Sequence, residues 1–117
     1  MKVLVCGSRD WDNYSLIQEK LSLLPKNTTI IHGGCDGADS IASEISMNLG
    51  FQVIEFKADW KKFGRSAGPQ RNQQMLNEGP DIVYAFHDDL ESSKGTNDMV
   101  ERARKKGITV KVFSSIN

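Results

Sequence analysis

Net charge is missing from this chain. In 117 residues, 15 Lys and Arg balance 15 Asp and Glu, so no global field pulls the protein toward nucleic acid or an anionic membrane. No apolar run is long enough to span a bilayer and no signal peptide is apparent, which leaves membrane out of the expected partners and makes a cytoplasmic setting the expected one. Cysteine is scarce. Cys6 and Cys35 are the only two, too few for a disulfide framework and expected to be free thiols in a reducing compartment. A Walker loop is also absent, since no Gly-x-x-x-x-Gly-Lys-Ser/Thr occurs, and that argues against nucleoside triphosphate hydrolysis. The acids and histidines lack ligand spacing. His87, Asp88 and Asp89 are adjacent, and Asp10, Asp36 and Asp39 are read as solvated acids at helix starts, so neither metal nor cofactor is expected.

The composition that remains, 38% hydrophobic and 26% charged, is that of a soluble globular protein, and the length suits one domain over residues 1–117. Short β-branched runs alternate with segments of helical period. Strands are expected at Lys2–Cys6, Thr28–His32, Gln52–Phe56, Asp81–Phe86 and Ile108–Phe113. Between them, Tyr14, Ile17, Leu21 and Leu24 share one helical face, widened by Leu16 and Leu23, and Pro25 ends that helix. Ala38, Ile41, Ala42, Ile45 and Leu49 form a second stripe closed by Gly50. A third helix is expected from Pro69 to about Asn77, and a fourth from Thr96 to Lys106; Lys57–Gly68 reads as a long loop. This is the pattern of an α/β domain with a five-stranded parallel sheet, order near 3-2-1-4-5, and helices on both faces. Ligands bind such sheets beyond the carboxyl ends of the strands.

That rim holds three candidate clusters. The first is Ile30-Ile31-His32-Gly33-Gly34-Cys35-Asp36-Gly37-Ala38-Asp39, where glycines let main chain approach an anion and a helix begins with open N–H groups. The second is Ser92-Ser93-Lys94-Gly95-Thr96, which sets hydroxyls and a lysine at another positive helix end. The third is Gly64-Arg65-Ser66-Ala67-Gly68-Pro69-Gln70-Arg71-Asn72, in which Arg71 can fork onto phosphate and Asn72 can read a hydroxyl or base edge. Trp11, Trp60 and Phe63 are possible stacking surfaces. Arg102, Arg104, Lys105 and Lys106 complement the dipole of the last helix and are read as solvent-facing.

Taken together, Gly-Ser-Arg-Asp-Trp at 7–11, His-Gly-Gly-Cys-Asp-Gly-Ala-Asp at 32–39, Ala-Asp-Trp at 58–60, Ala-Gly-Pro-Gln-Arg-Asn at 67–72 and Lys-Gly-Thr-Asn-Asp-Met at 94–99 resemble the small single-domain branch of the SLOG superfamily. The resemblance implies a Rossmann-like sheet and a pocket for nucleotides or nucleotide-derived ligands, ADP-ribose-like signals included. The LOG-type phosphoribohydrolases in that superfamily cleave the N-glycosidic bond of nucleoside monophosphates. Gly33, Gly34 and Gly37 match their glycine turn, and Arg71 matches their arginine helix start. Gly95 and Thr96 match part of their later Pro-Gly-Gly-x-Gly-Thr-x-x-Glu motif, whose glutamate position holds Met99, with Asp98 one place earlier.

Two functions follow. As a binding module, the protein would use Gly7, Ser8, Arg9, Gly33, Gly34, Asp36, Gly37, Asp39, Trp60, Arg71, Asn72, Lys94, Gly95 and Thr96, with Asp36 or Asp39 accepting from ribose hydroxyls. As a hydrolase, it would add Asp98, Asp36 or Asp39 as the carboxylate that assists base departure while Arg71 holds the 5′-phosphate. A dinucleotide oxidoreductase, with Glu55 on a ribose, ranks third because His32 replaces the first glycine of that fingerprint. A homo-oligomer is expected, since small sheets of this type complete their pocket with a neighbour.

Overall fold

The structure, a computed structural model, describes residues 1–116. Five parallel strands, β1 (Lys2–Gly7), β2 (Thr29–His32), β3 (Gln52–Glu55), β4 (Ile82–Phe86) and β5 (Thr109–Phe113), lie in the order β3-β2-β1-β4-β5. Val3 of the central strand pairs with Ile30 on one side and Ile82 on the other.

The pleat of β1 divides the core into two layers. Val3 and Val5 join Ile30, Tyr84 and Phe86 under α1 (Tyr14–Ser22) and α2 (Ala38–Asn48). Leu4 and Cys6 join Ile31, Val83 and Ala85 under two helices of the second layer. These follow a short helix, α3 (Trp60–Phe63), and are α4 (Ala67–Asn77) and α5 (Gly95–Lys105). The result is a single Rossmann-like α/β domain. Its strands are buried on both faces near the centre and half-exposed at the β3 and β5 edges, as their apolar runs require.

The helix starts follow local chemistry. The Asn13 side chain accepts from the Leu16 N–H at 3.1 Å and sets α1 in motion. Its stripe is narrower than expected. Ile17 and Leu21 are fully buried, but Tyr14 is half-exposed and Leu23 is 79% exposed, because the helix ends at Ser22 and turns Leu23 away from the face that Leu24 shares. The segment expected to be a loop before α4 is partly helical. Asp59 Oδ1 accepts from the Lys62 N–H at 3.1 Å and nucleates α3; a 3₁₀ turn at Gly64–Ser66 then leads into α4 two residues before Pro69. A second 3₁₀ turn, Leu90–Ser92, precedes α5.

Candidate functional site

The segments that follow β1, β2, β3 and β4 converge on a cleft of about 870 Å³ at the carboxyl ends of the strands. Of the residues expected at a site, Gly7, Ser8, Arg9, Asp39, Trp60, Arg71, Asn72, Lys94, Gly95, Thr96 and Asp98 line it, and Gly33, Gly34, Asp36 and Gly37 do not. Cys6, Asp10, Cys35, Arg65, Pro69 and His87 also border it.

The glycine turn differs most from expectation. Three of its amides, those of Gly33, Gly34 and Cys35, are taken by the Asp39 and His32 side chains. Asp39, in the first turn of α2, folds back so that Oδ2 accepts from the Gly33 N–H at 3.1 Å and the Cys35 N–H at 3.3 Å. The Gly34 N–H donates to His32 Nδ1 at 3.0 Å, and the Ala38 N–H donates to the Ser8 carbonyl. The glycines answer to steric demands instead. A Cβ on Gly33 would overlap the Arg71 guanidinium; Gly37, at φ 73°, would drive one into the carbonyls of Ser8 and Arg9. Asp36, a candidate for the catalytic and ribose-binding roles, is exposed outside the cleft lining. Glu55 lies beside Gly34 and pairs with Lys57 at 3.8 Å, also outside the cleft lining.

Arg71 is buried, and its Nε and Nη1 are engaged by the protein. Nη1 donates to the carbonyls of Gly33 at 2.7 Å and Phe56 at 3.5 Å and lies 3.8 Å from Cys35 Sγ, while Nε donates to Asn72 Oδ1 at 3.1 Å. Nη2 is the nitrogen left without a protein acceptor among the described residues. Asn72 extends the chain of bonds, its Nδ2 donating to the Gly95 carbonyl at 3.2 Å and to Asp98 Oδ2 at 3.0 Å. Arg102 closes it. Its Nε reaches the same Asp98 oxygen at 2.9 Å and its Nη1 reaches Gln73 Oε1 at 3.2 Å, so Arg102 ties α5 to α4 and is not the free surface cation that its place in the last turns suggested. The i,i+4 spacing of Asp98 and Arg102 was the signal for this pair.

The start of α5 stands open to the cleft. Ser93 Oγ accepts from the Thr96 N–H at 3.1 Å, and a Cβ on Gly95 would meet nothing within 4 Å. Thr96 is only 6% exposed, yet its hydroxyl has no protein partner among the described residues and borders the cleft. Lys94 is exposed beside it. Asp98 also faces the cleft from this first turn, whereas Met99 is buried in the core. The shifted carboxylate is therefore the one presented. Of the three aromatic candidates, Trp60 alone lines the cleft, half-exposed against Gly68. Trp11 is core, its ring edge-on to Phe86 at 5.7 Å and its Nε1–H donating to the Asn13 carbonyl at 2.9 Å. Phe63 sits under the Lys62 ammonium, 5.1 Å from it.

Burial shapes the electrostatics. It pushes Asp39 up to about 6, against the opposing pull of the Cys35 and Gly33 amides, Arg71 and Arg9. It raises the Cys6 thiol far above its usual range, with Asp39 adding to the rise, so Cys6 is a core thiol. His32 is lowered by burial; with Nδ1 accepting from Gly34 it is the neutral tautomer protonated on Nε2, a nitrogen with no partner among the described residues. Among the described residues no three His, Cys, Asp or Glu side chains converge as a metal site, and no helix is long and apolar enough to cross a membrane.

A cleft at the strand ends of a 3-2-1-4-5 parallel sheet defines an α/β domain of the Rossmann-like type. Residues 1–63 match the family model described as YAcAr, the YspA, cpYpsA-related SLOG family, and the chain belongs to that family. It is also 35% identical to the Gene 61 protein of Mycobacterium phage D29, an alignment that covers 93% of each chain.

Proposed function

We propose that the protein binds a nucleotide or nucleotide-derived sugar phosphate, as a sensor or sequestering module. The observation that carries this reading is the first turn of α5, where the Thr96 hydroxyl, the Gly95 N–H and the Lys94 side chain stand on one side of the cleft without protein partners among the described residues. A helix end with open donors favours an anion, and Arg9 and Arg65 add positive charge along the same walls. Trp60 offers a base a ring face at the mouth. Membership of a SLOG family is compatible with such a ligand. The proposal includes a homo-oligomer, for which sedimentation velocity is the direct measure.

One observation favours a second reading, N-glycosidic hydrolysis. Asp98 is oriented at the cleft wall by Asn72 and Arg102, as a carboxylate would be that stabilises an oxocarbenium-like centre or positions water for attack at C1′. In that reaction the C1′–N bond breaks, its electron pair leaves with the base, which takes up a proton, and water supplies the new hydroxyl. Incubation with nucleoside monophosphates, NAD and ADP-ribose, followed by chromatography, separates the readings. Unchanged ligand recovered from the denatured protein supports the binder, released base supports the hydrolase, and neither retention nor turnover of any of these compounds overturns both.

A further inference from the structure

Asp39 occupies the place where the fold offers an anion seat. One carboxylate oxygen receives two main-chain N–H groups of the turn after β2, the arrangement a phosphate oxygen would otherwise take. The side chain is 6% exposed and borders the cleft, and its other oxygen, Oδ1, accepts no hydrogen bond among the described residues. Arg71, which would be the natural phosphate fork at this end, has Nη1 bound to the carbonyls of Gly33 and Phe56 and Nε bound to Asn72, so that Nη2 alone is left and a two-pronged grip on phosphate is not on offer. A phosphate entering here would have to displace a carboxylate from its amides, in a part of the cleft where water screens poorly.

We propose that Asp39 is a built-in anion that bars phosphate from the glycine-turn end of the cleft and makes that end a seat for hydrogen-bond donors, the ribose diol above all. Resting on the sugar-phosphate reading of the cleft, this narrows the ligand class. The ligand carries its phosphate at the α5 end and presents hydroxyls to Asp39 Oδ1; nucleoside monophosphates fit, and nucleotides with an extended pyrophosphate do not. The cost of holding a carboxylate in a buried place, visible in its raised pKa, is consistent with a side chain kept for recognition. A purely structural role would need only an acceptor for the two amides, which asparagine supplies as well.

The test is calorimetric titration of the full chain with AMP, GMP, CMP and UMP, then with the diphosphate and the 2′,3′-dideoxy form of the tightest binder, for the native protein and Asp39→Asn. The native protein is expected to prefer the monophosphate over each of the other two forms by about tenfold or more. In D39N, with folding checked by circular dichroism, both preferences are expected to fall to about threefold or less. A native protein that binds the dideoxy form or the diphosphate as tightly as the monophosphate overturns this inference and leaves the cleft reading standing, whether or not D39N folds. Discrimination unchanged in folded D39N also overturns it. Failure of all four monophosphates to bind while NAD or ADP-ribose is retained overturns this inference alone; failure of the monophosphates, NAD and ADP-ribose together overturns the sugar-phosphate reading, and this inference with it.

Discussion

Arg71 and Gly33 meet main chain to side chain across the top of the sheet. The guanidinium Nη1 donates to the Gly33 carbonyl at 2.7 Å, and no room remains at the Gly33 Cα for a methyl group. The contact locks the turn after β2 to α4. Gly33→Ala is therefore expected to displace Arg71 and destabilise the fold by about 1–3 kcal/mol, as overpacking does. Urea denaturation reads this as a lower midpoint with an unchanged slope; an unaltered midpoint would show that Arg71 moves aside freely.

Arg71→Ala is expected to cost more stability than the loss of a surface cation. Removing the side chain strips donors from the Gly33 carbonyl and Asn72 Oδ1, and each buried acceptor left unpaired costs about 1–3 kcal/mol. Arg71→Lys restores charge without the fork geometry and is expected to recover only part of the loss. Equal stability of R71K and the native protein in chemical denaturation would contradict this.

The raised pKa of Asp39 gives stability a definite pH dependence. Its folded value, about 6, lies above the 3.8 usual for an aspartate, so between those values the native state holds a proton that the unfolded chain has released. This contribution is fully present below about pH 4 and is lost as pH rises through 6, by a few kcal/mol at most, at about 1.4 kcal/mol per pH unit. Arg71 and Arg9 oppose the shift, and Cys6 lies within the field of Asp39. Subtracting the pH profile of Asp39→Asn from that of the native protein should isolate the contribution of Asp39 between pH 4 and 7. A flat difference across that range would mean that Asp39 titrates normally.

Thr96→Val tests the α5 end of the cleft with little change in shape. Loss of one hydroxyl is expected to weaken nucleotide binding by about threefold to tenfold, the value of a single neutral hydrogen bond, while the melting temperature stays close to native because the hydroxyl has no partner to lose among the described residues. Native affinity in T96V, measured by calorimetry, would take Thr96 out of the site.

Strand order and rim were legible because they depend on patterns that survive without neighbours. Alternating apolar runs and helical stripes specify a parallel sheet, and the crossover rules then leave few orders. The glycine turn was legible as a place of close approach, but the approaching group was not. The residue spacing cannot say whether a ligand or Asp39, six residues on from Gly33, takes the amides, since both satisfy the same donors. Burial of Arg71 was equally hidden, because its acceptors are carbonyls of Gly33 and Phe56, brought near only by the fold. The α3 turn had a readable cue in Asp59 three residues before Lys62. Leu23 was misplaced because apolar character alone does not mark where a helix ends.

The two indoles divide the labour of observation between them. Trp11, packed on Phe86 with its N–H tied to Asn13, emits from an interior that changes only when the chain unfolds; Trp60, half in solvent at the cleft mouth, emits from the place an arriving molecule would cover. Trp60→Phe thus leaves a fluorophore for melting curves, Trp11→Phe leaves one for titrations, and acrylamide quenching that reaches the second but not the first tells occupancy from unfolding in a single cuvette.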